Sequence, residues 1–322
     1  MKNKKLLTFG IALMMLPLLL FSVTEAQAAT EKPVIVCITS AVGNVVEELL
    51  GDTADVLVLV QPGLCPADFD VKPGYVDAVS KAQILFKQNI QGEFWLDGLL
   101  AAAGNPDLTA VAIPGVYNTR EGAKNYIRGV GGNLSQILDI DLDSKMAEML
   151  NDLGEVSSLM ASQAATIDAS NVKVICMGWL KTFIESAGFT VVATFNPPET
   201  LSAGDITSLI ETAQNEGVAL IVDNLQIDTE FGAEIASQVG AEHVVLTNFP
   251  GAVPNTETLS EMLRYNAEQL FNGTITWQST STLRAERGDL QNQVTIFQIT
   301  TSLAVVVALV EAVLLYAKRK RK

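Results

Sequence analysis

The chain has 322 residues, 48% hydrophobic and 18% charged, with one histidine and a formal charge of −15. So acidic a composition disfavours nucleic-acid binding, which needs basic groups against phosphates. A lone histidine with no paired nucleophile, no G-x-S-x-G and no Gly-rich phosphate loop leaves no enzyme constellation, so the chain reads as a non-enzyme.

Lys2, Lys4 and Lys5, an apolar run Leu6–Phe21 and Ala26-Gln27-Ala28 form a charged n-region, an h-region and an A-x-A cleavage site. Residues 1–28 therefore read as a secretory signal peptide. From residue 29 to 142 the pattern alternates. Pro33–Ser40, Ala54–Gln61, Ala82–Lys87 and Leu108–Pro114 are short apolar runs, as strands buried on both faces should be, and Ala41–Leu50, Pro73–Lys81 and Glu93–Ala103 between them read as helices. Strand and helix in turn with short connections predict parallel βαβ units.

Residues 143–170 break that rhythm. Met146, Leu150, Leu153, Val156, Met160, Ala164 and Ile167 recur every three or four positions, which predicts one helix roughly 37 Å long, a connector between lobes. Over 171–277 the alternation resumes, with strands at Val172–Met177, Thr190–Phe195, Val218–Asp223 and His243–Thr247. Helices are predicted at Leu180–Ala187, Asp205–Glu216, Glu230–Val239 and Thr256–Phe271. The fold class is thus α/β, two Rossmann-like lobes joined by a long helix.

Residues 278–293 are polar and read as a juxtamembrane linker. Val294–Tyr316 is 23 residues long, enough for a transmembrane helix, which needs about 20. The basic tail 317–322 that follows sets a cytoplasmic C-terminus and an extracellular ectodomain, a single-pass protein of the cell membrane. Glu311 lies inside the span, near enough to its end to reach the interface. Between the two apolar ends remain 13 basic and 34 acidic residues, a formal charge of −21.

In open parallel sheets ligands collect at the carboxyl ends of strands. The loops to inspect are therefore Gly63–Tyr75, Gly131–Asp139, Met177–Trp179, Asn224–Asp228 and Asn248–Pro254. The first concentrates Pro and Gly breakers with Cys65, Asp68 and Asp70.

Four segments carry a family likeness: Lys32–Ser40, the Pro66-x-x-Phe69 loop running into Pro73, Glu93-x-Trp95-Leu96, and Glu261–Asn266 in the last helix. On these the chain, over roughly residues 32–272, resembles the extracellular solute-binding proteins of zinc- and manganese-type ABC importers. The resemblance implies a zinc or manganese ligand held between two lobes, and a permease and an ATPase as partners. It also implies metal ligands that this chain lacks. Where the family has Asp-Pro-His-x-Tyr-x-Pro, the first loop places Cys65 at the Asp and Ala67 at the His. The family's second motif, Asp-Pro-His-x-Trp-Leu-Asp, anchored on Leu138 and Asp139, puts Ser135 at its His. The third His falls at Met177, or at Cys176 one residue away, and the carboxylates become Asn224 and Asn248. Zinc wants Cys, His or carboxylate donors, and no cofactor is expected on this donor set.

Three functions stay open. One is a membrane-anchored importer receptor with a changed ligand, held by Cys65, Ala67, Asp68, Ser135, Met177, Trp179, Asn224 and Asn248. Another is a soft-metal site of Cys65, Cys176 and Met177 suited to Cu(I), with a Cys65–Cys176 disulfide as the intermediate case. The last is a surface adhesin that has kept the fold and lost the ligand. Cys37, Cys65 and Cys176, odd in number and without C-x-x-C, do not form a disulfide scaffold.

Overall fold

A computed structural model describes residues 32–88 and 93–320; the expected signal peptide lies outside them. Two four-stranded parallel sheets make up the two lobes. In the first, β1 (Val34–Thr39), β2 (Asp55–Val60), β3 (Ile84–Lys87) and β4 (Thr109–Ala112) lie in the order β2-β1-β3-β4. In the second, β5 (Lys173–Met177), β6 (Thr190–Phe195), β7 (Leu220–Asn224) and β8 (Glu242–Leu246) lie in the order β6-β5-β7-β8, the same arrangement repeated.

The strand at the centre of the first sheet shows why these segments are strands. Ile35 and Cys37 of β1 face one core, while Val36 and Ile38 face another, the two-residue period of a strand covered on both sides. The second of these cores is closed by α2 (Pro73–Lys81) and α3 (Leu96–Ala103) through Val79, Leu96 and Leu99. The first is closed by α1 (Ser40–Leu50) and α4 (Arg120–Leu138) and runs on into the second lobe without a break.

The connector is α5 (Asp143–Thr166), close to its expected span, with Met149, Leu153 and Val156 buried. The second lobe adds α6 (Lys181–Ser186), α7 (Ala203–Glu216) and α8 (Glu230–Val239). Ser202 caps α7 reciprocally with Asp205, satisfying amide groups that a helix start leaves open.

Two expectations are corrected. Gly131–Asp139 is not a loop; all but Asp139 belongs to α4, which starts at the Thr119 cap with Gly122 N donating to Thr119 Oγ1 at 3.1 Å. Ala123, Tyr126, Ile127, Val130 and Leu134 give α4 its buried face, but glycines at 129, 131 and 132 hide that pattern. Gly131 is there for packing: a Cβ would stand 2.3 Å from Met146 Sδ of α5. The second correction concerns the C-terminal end. The last core helix, the polar linker and the apolar span are one helix, α9 (Leu259–Lys320). Its first turns bury Leu259, Met262, Leu263, Asn266, Ala267, Leu270 and Phe271 at the three-and-four spacing of an amphipathic helix. Beyond Trp277, which still packs on the core, it leaves the lobe, touching it again where Arg284 Nη1 donates to Gly240 O at 2.9 Å.

Candidate functional site

The carboxyl edges of the two sheets face each other across a cavity of 350 Å³. The first lobe supplies Cys65 and Pro66 from the loop after β2, and Gly115, Val116, Tyr117 and Asn118 from the connection between β4 and α4. The second lobe supplies Trp179, Asn224, Gln226, Ile227, Asn248 and Phe249. None of these side chains carries a formal charge.

The first wall is shaped by aromatic packing. Trp95 Nε1 donates to Pro66 O at 2.9 Å, and the Phe69 ring packs 4.2 Å from Trp95 and 5.1 Å from Tyr75, centroid to centroid. Phe69 and Trp95 are both 8% exposed. Pro66, Phe69 and Trp95 are therefore the pins that hold the loop, which is why the motif survives although Ala67 and Asp68 between them are exposed to solvent and do not line the cavity.

The second wall is a hydrogen-bonded lattice. Gln226 Nε2 donates to Thr247 Oγ1 at 2.9 Å, and Gln226 Oε1 accepts from Asn248 N at 3.1 Å. Asn266 of α9 clamps the end of β8 from behind, accepting from Thr247 N at 3.0 Å and donating to Thr247 O at 2.7 Å. Asn224 is buried, its Nδ2 donating to Leu246 O at 3.5 Å.

Four hydrogen bonds join the walls: Tyr117 Oη to Asn248 O at 2.9 Å, Gln226 Nε2 to Pro62 O at 2.8 Å, Ser40 Oγ to Pro250 O at 2.8 Å, and Leu259 N to Asn44 Oδ1 at 2.8 Å. Burial raises the Tyr117 hydroxyl above its ordinary pKa, so it stays a donor. Asn118 Oδ1 is buried without a hydrogen-bond partner. Asn118 also borders a second cavity of 220 Å³, behind the cleft, between α4, α5, α6 and α9.

Of the residues singled out from sequence, the cavity brings together Cys65, Trp179, Asn224 and Asn248. Trp179, on a short turn after β5, is 41% exposed and presents its indole to the cleft rather than packing into its own lobe. Ser135 stands near the far end of α4 and lines no part of the cavity, because α4 leads away from the cleft at Thr119. Met177 and Cys176 are fully buried in β5.

Of the soft-metal grouping only Cys65 lines the cavity. All three cysteines are free, and Cys65 and Cys176 do not form a disulfide. Burial, with Glu185 adding to it, pushes the Cys176 thiol up to about 12, whereas a metal takes the thiolate. Among the described residues no group of three or more His, Cys, Asp or Glu is placed to hold a metal ion. His243 sits in β8, its Nε2 2.8 Å from Asp223 Oδ2, and Asp223 is fully buried. Gly232 of α8 makes room for that carboxylate: a Cβ there would meet Asp223 Oδ2 at 1.9 Å.

Sequence reasoning missed the whole Gly115–Asn118 wall. The signal was present: the second family motif can be laid on Gly115-Val116-Tyr117-Asn118-Thr119, which matches an aromatic residue at Tyr117 and ends on the helix cap. In that register the histidine position is Gly115, at φ 109°, a conformation costly for any residue with a side chain. The donor set does not fit zinc or manganese in either register.

The sequence model of the family described as "Zinc-uptake complex component A periplasmic" matches residues 35–273. The manganese-binding lipoprotein MntA of Halalkalibacterium halodurans is 22% identical over 264 residues, 73% of this chain and 86% of that protein. The manganese-bound periplasmic metal binding protein of Candidatus Liberibacter asiaticus superposes with a TM-score of 0.66 at 13% identity, over 76% of this chain and 100% of the other. A crystal structure of ZnuA gives a TM-score of 0.63 at 20% identity, over 75% and 99%. At these identities the solved structures establish a shared fold alone.

Proposed function

The chain belongs to the periplasmic zinc-uptake component A family, metal-binding receptors rather than enzymes, and on that premise we propose that it is the membrane-anchored receptor of an ABC importer whose ligand is no longer zinc or manganese. One observation carries the reading: the cleft is built where a receptor of this fold should hold its ligand, yet uncharged amides, aromatics and one thiol line it. A divalent cation entering such a site would lose its water shell without gaining an anionic donor, and the desolvation would go uncompensated.

The lobes would close on the ligand by a small movement. The apolar core runs unbroken through α5 from one lobe to the other, and interiors packed in this way resist gradual deformation. Ligand binding therefore acts on the rim, where Tyr117 and Gln226 already bridge the walls.

Anchoring rests on α9. Its apolar stretch reaches a mean hydropathy of 2.2 and none of it is buried. Lys318, Arg319 and Lys320 follow, and basic residues at the end of a span favour a cytoplasmic C-terminus. The same helix is clamped in the second lobe at Asn266, so that lobe would be held at a fixed height by a helical stalk of roughly 25 Å between Trp277 and Val294. The tail 321–322 lies outside the described residues.

Isolating the tagged full chain in mild detergent from membranes of its own cell tests the importer role. An ABC permease and its ATPase are expected in stoichiometric amounts. Recovery of neither, under conditions that preserve a known importer of the same membrane, rules the role out.

A further inference from the structure

We propose, resting on the receptor reading, that the interlobe cavity takes an uncharged, flat small molecule with one or two N–H or O–H donors, stacked on Trp179 and bonded to Asn118 Oδ1. Its volume, 350 Å³, lies within the range for small-molecule sites, about 300–1,000 Å³, and is far more than a bare ion needs.

Charge comes first. No lining side chain is ionic, so a charged ligand would be desolvated against nothing of opposite sign. Polar capacity is the second restriction. Gln226 has both ends of its amide engaged, by Pro62 O and Thr247 Oγ1 on one side and Asn248 N on the other. The Tyr117 hydroxyl is committed to Asn248 O and the Asn224 Nδ2 to Leu246 O. The Asn248 side-chain amide makes none of these bonds and stays available beside Asn118; a sugar or other polyol, with a hydroxyl on nearly every carbon, would still bring more than these groups can satisfy, and each unpaired one opposes binding.

What remains is specific. Asn118 lines the cavity and its Oδ1 is buried with no donor; a buried acceptor without a partner is expected to be satisfied in the working complex, here by a turn of the side chain toward the ligand. Across the cleft the partly exposed Trp179 offers an aromatic face, with Tyr117 and Phe249 beside the same space; such faces reward a flat partner in offset or edge contact. An acceptor on one wall and an aromatic plate on the other define a planar, neutral, hydrogen-donating molecule.

The test is calorimetric titration of the full chain in lipid nanodiscs with nicotinamide, uracil and adenine. Nicotinate serves as the charged counterpart, glucose as the polyol and zinc as the family's ion. At least one neutral flat probe is expected to bind one per chain, more than tenfold tighter than nicotinate or glucose. Trp179→Ala and Asn118→Ala should each weaken it tenfold or more, and Trp179→Phe should retain most of the binding. Trp179 is exposed enough that its replacement leaves the core intact, which keeps the test decisive if Asn118→Ala fails to fold. Binding of nicotinate, glucose or zinc in preference, or of none of the three flat probes, overturns the proposal. Recovery of the permease and ATPase would still uphold the importer role, so the two failures are distinguishable.

Discussion

The two lobes share a strand order and a pattern of crossovers, yet their cleft walls are built on opposite principles. The first wall is held by shape: Pro66 and Phe69 pinned on Trp95, Gly115 at a positive φ, and Asn118 with an acceptor left open. The second is held by hydrogen bonds that satisfy one another, from Asn266 through Thr247 to Gln226 and Asn248. A single scaffold thus separates two tasks. One wall keeps a buried polar group without a partner, while the other is a bonded platform carrying Trp179.

The largest expected effect comes from breaking the platform. Asn266→Leu leaves the Thr247 N–H and C=O buried without partners, and should cost about 2–3 kcal/mol in urea unfolding. The first wall has no comparable clamp, so Asn118→Ala should leave stability within about 0.5 kcal/mol, since it removes an acceptor that makes no bond. Equal losses from the two variants would erase the contrast between the walls.

A smaller effect probes the seam where the lobes meet away from the cleft. Glu48 of α1 is raised to about 7 by burial first, then by the carboxylates of Glu261 on α9 and Asp152 and Glu148 on α5, against a lowering bond from Asn44. Asn44 in turn accepts from Leu259 N. An acid whose pKa is higher folded than unfolded favours the folded state less as it ionises. Stability should therefore fall as pH rises from about 4.5 to about 7, by about 1 kcal/mol once screening of this partly exposed group is allowed for. Glu48→Gln should flatten that fall, with no difference from the parent chain near pH 4.5 and a gain near pH 8. An unchanged pH profile would show that Glu48 does not tune the seam.

The architecture was legible where one physical signal dominated. Buried strands such as Val34–Thr39 and the long face of α5 declare themselves by period and length. Helix α4 did not, because glycines at 129, 131 and 132 lower its local propensity, and only Gly131 is explained by packing, against Met146. Its misreading moved this part of the first wall by some twenty residues and put Ser135 in place of Gly115. The polar stretch of α9 was read as a linker for a similar reason: a solvent-exposed helix has no core face to announce it. A third of the cavity lining, Cys65, Trp179, Asn224 and Asn248, followed from the rule that ligands gather at the carboxyl ends of parallel strands. Gln226 and Phe249 did not, because an uncharged amide or ring in a loop carries no sign of which way it faces.

The family's fold and the chain's own donors disagree about metal, and metal content decides between them. The purified full chain should be dialysed to equilibrium against zinc and, separately, manganese at micromolar free concentration, and its bound metal counted. The structure predicts no stoichiometric metal in either case. One ion per chain, lost on replacing Asn224 and Asn248 by alanine, would contradict it.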